Sequence, residues 1–370
     1  MTASQSTIAE ALNISVATVS RSLRNHPAIS AETRARVAEA AVRLGYRAPD
    51  DKHAARGRPR RPDVLPTAPA KKPREGFVHL AAICRGSIDP NSVHNLVALR
   101  IIQGMSRGAR ANRASLHVEF FQPHEFDDLI NESAHPLVIR ESLVSGALLV
   151  NQPGMSVIQS LSRVMPCINF ERYFGPLTAD CVTEDNLGSI SKLFDHLLAL
   201  GHTKIGLADS TYCQPSYTAR FAAYVENIIA RQMVYDPADA TLPDAPQELP
   251  ARLEILAAHI AHRIREHGTT AWICLNDYIG YSIMRQLTRY DLHAPRDYSI
   301  CGFDNFDPPA GLPKLATIDG PFETMGEIAV TRLVQRIIQR QLQPVHILLP
   351  ARFIAGESTG PNAHNPFNKV

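Results

Sequence analysis

The chain has 370 residues, of which 45% are hydrophobic and 20% charged, and its formal net charge is only +2. This composition excludes a largely disordered protein, and the length predicts two or three domains. No apolar run approaches the ~18 residues of a membrane span, and the first residues do not resemble a secretory signal. The six cysteines form no C-x-x-C pair, so we expect a soluble, cytoplasmic protein with reduced thiols.

Residues 1–48 predict a bundle of three short helices. STIAEAL (6–12) forms the first, Ser15 caps a second that runs to about residue 24, and Ser30 caps a third that ends at Gly45. Their apolar residues repeat at helical spacing. The predicted core consists of Ile8, Leu12, Val19, Leu23, Val37 and Leu44.

The second helix presents short side chains, and such a helix can approach a partner closely. Two helices joined by a tight turn, the second with small and polar exposed groups, are typical of the helix-turn-helix motif. Val16 and Ala17 can meet base edges and thymine methyl groups in the major groove of DNA, while Thr18, Ser20 and Arg21 can form hydrogen bonds there. An ordinary helical bundle is the alternative. Residues at helix ends can also position phosphates: Ser15, Asn25, Ser30 and Thr33.

Residues 49–75 predict a basic linker. Between Lys52 and Arg74 there are eight lysines or arginines and a single acid, Asp63. Prolines are spread through the segment, and this composition is not compatible with a packed core. Positive charge is therefore concentrated near one end of the chain, which is typical of proteins that bind nucleic acid.

From Phe77 onward, short apolar runs alternate with longer amphipathic stretches. This alternation predicts a doubly wound α/β fold with parallel strands, and its extent fits two lobes better than one. Residues 235–250 are predicted to be a solvated loop before a helix that starts near Arg252. The predicted strands are 77–84, 115–121, 146–151, 165–170, 204–208, 271–276 and 298–303.

Two patterns raise the alternatives of an enzyme and of a metal site. GMSRG (104–108) matches the G-x-S-x-G motif of hydrolases, which needs a sharp strand-to-helix turn. Here it lies inside a helical run, so we interpret Gly104 and Gly108 as close-packing positions. The histidines at 259, 262 and 267 lie on a polar helix without nearby cysteines, which favours a solvated face. We therefore expect no catalytic residue, no metal and no cofactor.

The whole chain resembles the LacI/GalR family of bacterial repressors. In the first residues the similarity is carried by SVATVSRSL (15–23), by the P-x-x-S-x-x-T-R spacing from Pro27 to Arg34, and by LGYR (44–47). Further similar segments follow in the family's order: DNLGSISKLFDHLLALGHTKIGL (185–207), TARFAAY (218–224), AWICLNDYIGYSIMRQL (271–287), YSICGFDN (298–305) and ESTG (357–360).

The resemblance implies a helix-turn-helix headpiece (1–48), a hinge (49–75) and a two-lobed, Rossmann-like and periplasmic-binding-protein-like domain (76–370) that binds an effector and dimerises. The implied function is a ligand-responsive repressor of carbohydrate or sugar-acid metabolism genes. It would bind double-stranded, pseudo-palindromic operator DNA as a homodimer, with a sugar or sugar derivative as effector. The last residues lack the leucine heptads of tetrameric members, which favours a dimer. The alternative is a soluble sugar-binding sensor that acts without operator binding.

The family's motifs also imply site residues. Val16, Ala17 and Arg21 correspond to the residues that read the major groove. Arg220 and Asn276, together with Asp304, correspond to polar effector contacts between the lobes. For these three effector positions the alternative is a structural hydrogen bond or a helix cap at a strand–helix junction.

The hinge departs from the family's pattern. Ala55 and Arg56 match it, but Gly57 and Pro59 lie where the family has a short helix with a leucine that enters the minor groove. Glycine and proline disfavour that helix. We interpret Arg56 and the arginines that follow it as a flexible basic arm on the DNA, and the alternative is a solvated linker.

The pocket departs as well. Gly320 stands where many members have a glutamine, although Phe322 can still supply an apolar wall. Arg85 ends the first predicted strand, and together with Arg220 it indicates an anionic ligand such as a sugar acid or a phosphorylated sugar. The alternative is that Arg85 pairs with an acid on the surface of its lobe.

Overall fold

The chain forms two units, Met1–Ala70 and Lys71–Val370. Within the described parts of both units, no helix is long and apolar enough to cross a membrane. The computed structural model describes residues 4–23, 30–44, 77–86, 93–171, 177–208, 215–240 and 248–362.

Three helices form the described part of the first unit, and their ends follow from capping residues. They are α1 (Gln5–Leu12), α2 (Val16–Leu23) and α3 (Ala31–Arg43). Asn13 ends α1 in the left-handed conformation, with φ of 52°, which asparagine tolerates better than most residues. The hydroxyl of Ser15 accepts from the Thr18 N–H at 3.1 Å, and that of Ser30 accepts from the Thr33 N–H at 3.2 Å. Both predicted caps are confirmed.

The core of this unit matches the prediction except at one position. Leu12 and Leu44 pack against its edge, but Leu23 is 36% exposed, so its prediction as a core residue was wrong. The reason is that the last turn of α2 buries Ser22 instead, which turns Leu23 toward solvent. The fully packed residues are Ile8, Ala9, Val19, Val37, Ala40 and Ala41.

Eleven strands form two sheets in the described part of the second unit. One sheet has the order β10-β5-β4-β3-β1-β2 and is parallel; the other has the order β11-β9-β8-β7-β6, in which only the β11–β9 pair is antiparallel. The strands are β1 (Val78–Arg85), β2 (Ala114–Phe121), β3 (Gly146–Val150), β4 (Cys167–Asn169), β5 (Asp180–Glu184), β6 (Ile205–Ala208), β7 (Ala271–Cys274), β8 (Ser299–Phe303), β9 (Ala316–Asp319), β10 (His346–Leu349) and β11 (Arg352–Ile354).

Helices cover these sheets, as the predicted two-lobed α/β fold requires. The helix predicted to begin near Arg252 begins at Leu249, and residues 241–247 of the predicted loop lie outside the described residues. The helices are α4 (Val93–Ala111), α5 (Pro123–Asp128), α6 (Leu137–Arg140), α7 (Met155–Val164), α8 (Asn186–Ala199), α9 (Pro215–Ala230), α10 (Leu249–His267), α11 (Asp277–Leu287) and α12 (Phe322–Ile338).

The seven predicted strands are confirmed, but β5, β9, β10 and β11 were not predicted. β5 reads DCVTE, with an acid at each end, and therefore lacks the continuous apolar run of a buried strand. Asp180 is nevertheless fully buried, because Arg332 on α12 donates to it at 2.8 Å. This long-range pairing is invisible in the local pattern.

The two sheets define two lobes, and the chain crosses between them three times. The amino lobe contains β1–β5 and β10 with α4 and α12 in its core, and the carboxyl lobe contains β6–β9 and β11 with α8 and α9 in its core. The crossings lie between β5 and α8, between β9 and α12, and between β10 and β11. Because three segments of the chain connect the lobes, the lobes can move about these segments as a hinge without separating.

The GMSRG motif lies inside α4, as predicted. A Cβ added at Gly104 would lie 1.9 Å from the carbonyl oxygen of Glu323, and one at Gly108 would lie 3.0 Å from the backbone of Glu327. These two glycines therefore let α4 and α12 pack backbone to backbone. Their interpretation as close-packing positions is confirmed.

Candidate functional site

The exposed face of α2 carries the predicted DNA-contacting residues. Val16, Ala17 and Arg21 are exposed, whereas Val19 on the opposite face is fully buried. Positions 17 and 21 are one turn apart and therefore lie side by side. Ser20 is half-buried beside them. The result is a surface of small side chains with one long cation, the composition that close approach to a DNA groove requires.

Several predicted phosphate contacts are occupied by helix capping. The hydroxyls of Ser15 and Thr18 lie 2.8 Å apart, and those of Ser30 and Thr33 also lie 2.8 Å apart. These groups hold the first turns of α2 and α3. Asn25, Arg56 and the predicted linker 49–75 lie outside the described residues.

A cavity of about 640 Å³ lies between the two lobes, at the carboxyl ends of their parallel strands. Open α/β sheets bind their ligands at this edge, and the volume is that of a small-molecule site. The cavity wall contains all five predicted effector residues: Arg85, Arg220, Asn276, Asp304 and Phe322.

Arg220 is a buried cation in this wall, with only 4% of its surface exposed. Its Nε donates to Asn186 at 3.1 Å and its Nη2 donates to Glu184 at 2.9 Å, while Asp304 lies 3.8 Å away. Its Nη1 donates to the carbonyl of Leu275. Burial acts to lower the pKa of Arg220, but the carboxylates of Glu184 and Asp304 raise it above its usual value. The guanidinium is therefore charged and held in place.

Asn276 lies in the wall and also caps a helix, the alternative left open by the sequence. Its Oδ1 accepts from the Ile279 N–H at 2.8 Å, and its Nδ2 donates to the Tyr217 hydroxyl at 2.5 Å. The next residue, Asp277, accepts from the Thr317 hydroxyl at 2.7 Å. The N-D segment thus fixes the start of α11 and the edge of the cavity together.

Asp304 occupies a strained position at the end of β8. Its φ of +100° lies in a region that favours glycine, and such strain persists mainly at functional positions. Burial raises the pKa of Asp304 to about 6, the Arg220 charge acts to lower it and the Glu184 charge to raise it. The carboxylate therefore lies beside Arg220 in the cavity wall, on a backbone conformation that is unfavourable for most residues.

Arg85 contributes a charged group to the wall, whereas Phe322 contributes an apolar one. The Nη2 of Arg85 lies 3.5 Å from the exposed carboxylate of Asp127, so the predicted pairing with a surface acid is present. Phe322 supplies an apolar surface, and a Cβ at Gly320 would lie 2.4 Å from its ring. A larger residue at position 320 would displace this ring, which explains the glycine there.

The sequence reasoning missed four acids in the wall: Glu171, Glu184, Asp185 and Glu226. Glu184 ends β5, and Glu171 follows β4 by two residues. Burial and the Glu184 charge raise the pKa of Glu171 to about 8, against the opposing effect of Arg220. The position of Glu171 just after a predicted strand could have indicated a cavity residue. Glu184 could not be found in this way, because β5 is too polar to be recognised as a strand.

Metal-ligating clusters are absent among the residues that the structure describes. The Nε2 of His259 lies 2.6 Å from the carbonyl oxygen of Ala238, and the rings of His262 and His267 pack 5.2 Å apart. The described cysteines are buried thiols, not disulfides: Cys84, Cys167, Cys181, Cys274 and Cys301.

Two family models match the chain. "Bacterial regulatory proteins, lacI family" matches residues 6–49, which contain the three helices. "Periplasmic binding protein-like domain" matches residues 194–359, which contain most of the carboxyl lobe together with α12 and β10.

Curated relatives are similar over most of the chain. The transcriptional regulator MalR of Streptomyces coelicolor is 25% identical over 91% of this chain and 91% of its own length. The transcriptional repressor CytR of Escherichia coli is 25% identical over 90% of this chain and 88% of its own. The arabinose metabolism transcriptional repressor of Geobacillus stearothermophilus is also 25% identical, but the match spans only 60% of each protein.

Solved structures are similar in fold to most of the chain. A CelR–cellobiose complex superposes with a TM-score of 0.62 at 18% identity, covering 96% of this chain and 99% of that one. A lac repressor dimer bound to operator and the anti-inducer ONPF superposes with a TM-score of 0.59 at 20% identity, covering 97% and 100%. The chain therefore combines a helix-turn-helix domain of the lacI family with a periplasmic-binding-protein-like domain, and its curated relatives are transcription regulators.

Proposed function

We propose that this chain is a ligand-responsive, sequence-specific repressor of sugar metabolism genes that acts in the cytoplasm and not as an enzyme. Residues 1–48 are its DNA-binding headpiece, 49–75 its hinge, and 76–370 its effector-binding and dimerisation domain. The observation that carries the proposal is the presence of an exposed helix-turn-helix face and a cavity between two lobes in one chain.

The headpiece reads operator DNA through α2. Val16 and Ala17 contact base edges, Arg21 donates hydrogen bonds to a base or a phosphate, and the capped starts of α2 and α3 face the backbone. A homodimer places two headpieces on a pseudo-palindromic operator with half-sites about one helical turn apart. Arg56 of the hinge adds a phosphate contact.

The cavity receives the effector. Arg220, Asn276 and Asp304 position its polar groups, Arg85 lies at the edge, and Phe322 supplies an apolar surface. The cellobiose of the CelR complex and the name of the arabinose repressor support a sugar or sugar derivative. Effector binding changes the closure of the lobes and so the operator affinity, by a coupling free energy of about 1–3 kcal/mol.

Selection from random double-stranded DNA with the full chain tests this function. We expect enrichment of pseudo-palindromic sequences at ~0.15 M salt, where weak phosphate-only binding is screened. Thermal shift with neutral, acidic, phosphorylated and aminated sugars then identifies the effector. Stabilisation by a sugar without any enriched DNA sequence would instead identify a sugar sensor that acts without an operator.

A further inference from the structure

The polar wall of the cavity is acidic. Its described residues include two arginines, Arg85 and Arg220, but more than twice as many carboxylic acids. A wall of this charge attracts cations and repels anions, more strongly than in water because the site is enclosed. The acids are Glu171, Glu184, Asp185, Asp304 and Glu226.

Both arginines are already matched by acids of the protein. Arg220 lies 2.9 Å from Glu184 and 3.8 Å from Asp304, and Arg85 lies 3.5 Å from Asp127. An anionic ligand would have to compete with these carboxylates for the guanidinium groups. It would also bring a further negative charge into a wall that already holds the carboxylates of Glu184 and Asp185, which makes sugar acids and sugar phosphates poor ligands.

Three acids of this wall, Glu171, Asp185 and Glu226, take part in none of the ion pairs within the described ranges. Glu226 is exposed and Asp185 caps α8 by accepting from the Gly188 N–H, which leaves Glu171 as the half-buried acid without such a role. The Glu171 carboxylate accepts the Ser216 N–H. Burial and the nearby Glu184 raise its pKa to about 8, while Arg220 acts to lower it. At neutral pH these effects favour the protonated form of Glu171.

A metal ion does not fit this position, because no described cluster of histidines, cysteines and acids is suited to hold one. An ammonium group fits, since it donates hydrogen bonds to carboxylates and can take the place of the Glu171 proton. Tyr217, Asn276 and Asp304 provide the hydroxyl, amide and carboxylate groups that recognise a polyol in the same wall.

We propose that the effector of this chain is a hydroxyl-rich molecule with a protonated amine, such as an amino sugar, and that Glu171 binds the ammonium group. This inference rests on the proposed function and names its ligand class. Binding transfers the Glu171 proton to solvent and leaves a carboxylate–ammonium pair in the cavity.

Matched sugars test the proposal on the full chain. Titration calorimetry at pH 7 compares glucose, glucosamine, glucuronate and glucose 6-phosphate, and the same sets built on galactose and mannose. We expect at least one amino sugar to bind about tenfold or more tightly than its neutral counterpart, a difference of roughly 1.4 kcal/mol. The acids and phosphates should bind more weakly than the neutral sugars.

Two variants test whether the preference for the amino sugar depends on Glu171. Glu171→Gln resembles the protonated side chain, so it should fold normally and reduce the preference for the amino sugar over its neutral counterpart to about threefold or less. Glu141→Gln removes the same charge from an exposed position outside the cavity and should keep the full preference. Thermal unfolding of both variants verifies that they are folded.

Calorimetry in two buffers of different ionisation enthalpy measures the number of protons released when the sugar binds. Amino sugar binding to the unmodified chain should release close to one proton, and binding to Glu171→Gln should release almost none. Equal affinities for neutral and aminated sugars, or tighter binding of the anions, would overturn the inference while leaving a sugar-responsive regulator. No binding by any sugar would overturn both the inference and the sugar effector, whereas operator selection would still test DNA binding separately.

Discussion

Glu184 and Arg220 join the two lobes through a buried ion pair. Glu184 ends β5 in the amino lobe and Arg220 lies on α9 in the carboxyl lobe, yet Oε1 and Nη2 are 2.9 Å apart, and the side chains are 8% and 5% exposed. The pair lies in the wall of the cavity. A ligand that contacts either side chain therefore acts directly on the contact between the lobes.

Loss of this ion pair should destabilise the second unit. Glu184→Gln leaves a buried guanidinium with Asp304 at 3.8 Å as its remaining acid, and we expect a loss of about 3 kcal/mol in the free energy of unfolding. Glu254→Gln is the control, because it breaks the exposed Glu254–Arg289 pair and should cost less than about 1 kcal/mol. Urea unfolding measures both, and equal losses would contradict a special contribution of the buried pair.

Arg21→Ala should weaken operator binding by roughly 1–3 kcal/mol if the guanidinium contacts a base, or about 5- to 150-fold. Effector binding should remain unchanged, because Arg21 lies outside the cavity wall. Arg140→Ala removes an exposed cation of α6 and should leave operator affinity intact. Fluorescence anisotropy on the selected operator measures these affinities. Equal weakening by both substitutions would indicate a general charge effect and not a contact made by Arg21.

Asp304→Asn should weaken effector binding about 10- to 100-fold, the effect of losing one charged hydrogen bond in an enclosed site. Asparagine tolerates positive φ better than alanine does, so this substitution keeps the backbone at +100°. Operator binding by the effector-free protein should be retained. Calorimetry and anisotropy on the same preparation separate the two activities, and loss of both would indicate misfolding.

Glu171 should make stability depend on pH. Its pKa is raised to about 8, above the value near 4.3 of an unfolded chain. The folded protein therefore binds a proton that the unfolded chain has released, and stability falls as the pH rises between these values, by at most about 1.4 kcal/mol per pH unit. Glu171→Gln removes this contribution. Its stability relative to the unmodified chain should increase from pH 5 to pH 8 in urea titrations, and a constant difference would show that Glu171 is ionised throughout.

Gly104→Ala should disrupt the packing of α4 on α12. The new Cβ would lie 1.9 Å from the Glu323 carbonyl oxygen, so the helices must separate, at a cost of about 1–3 kcal/mol or more. Gly154→Ala is the control, because nothing lies within 4 Å of its Cβ position, and replacing a glycine cap should cost less than about 1 kcal/mol. Thermal unfolding compares the two variants. A similar small cost for both would mean that α4 and α12 tolerate separation.

The sequence by itself determined the local features of this protein. The capping serines, the exposed face of α2 and the apolar runs of the first strands depend on neighbours a few residues away, so their periodicity is visible in the chain. The interpretation of Gly104 inside a helix rested on the same local pattern. Polar strands such as β5 escaped prediction because their burial depends on distant partners, as Asp180 and Arg332 show.

Only the tertiary structure decided the chemistry of the cavity. The wall of the cavity is assembled from residues in or next to separate strands and helices: Glu171, Glu184, Arg220 and Asp304. Their charges act through space, and burial raises the pKa of Glu171 and of Asp304 by amounts that no local pattern contains. The family resemblance therefore located Arg220 and Asp304, whereas the pairing of Arg220 with Glu184 and the raised pKa of Glu171 emerged only from their placement in three dimensions.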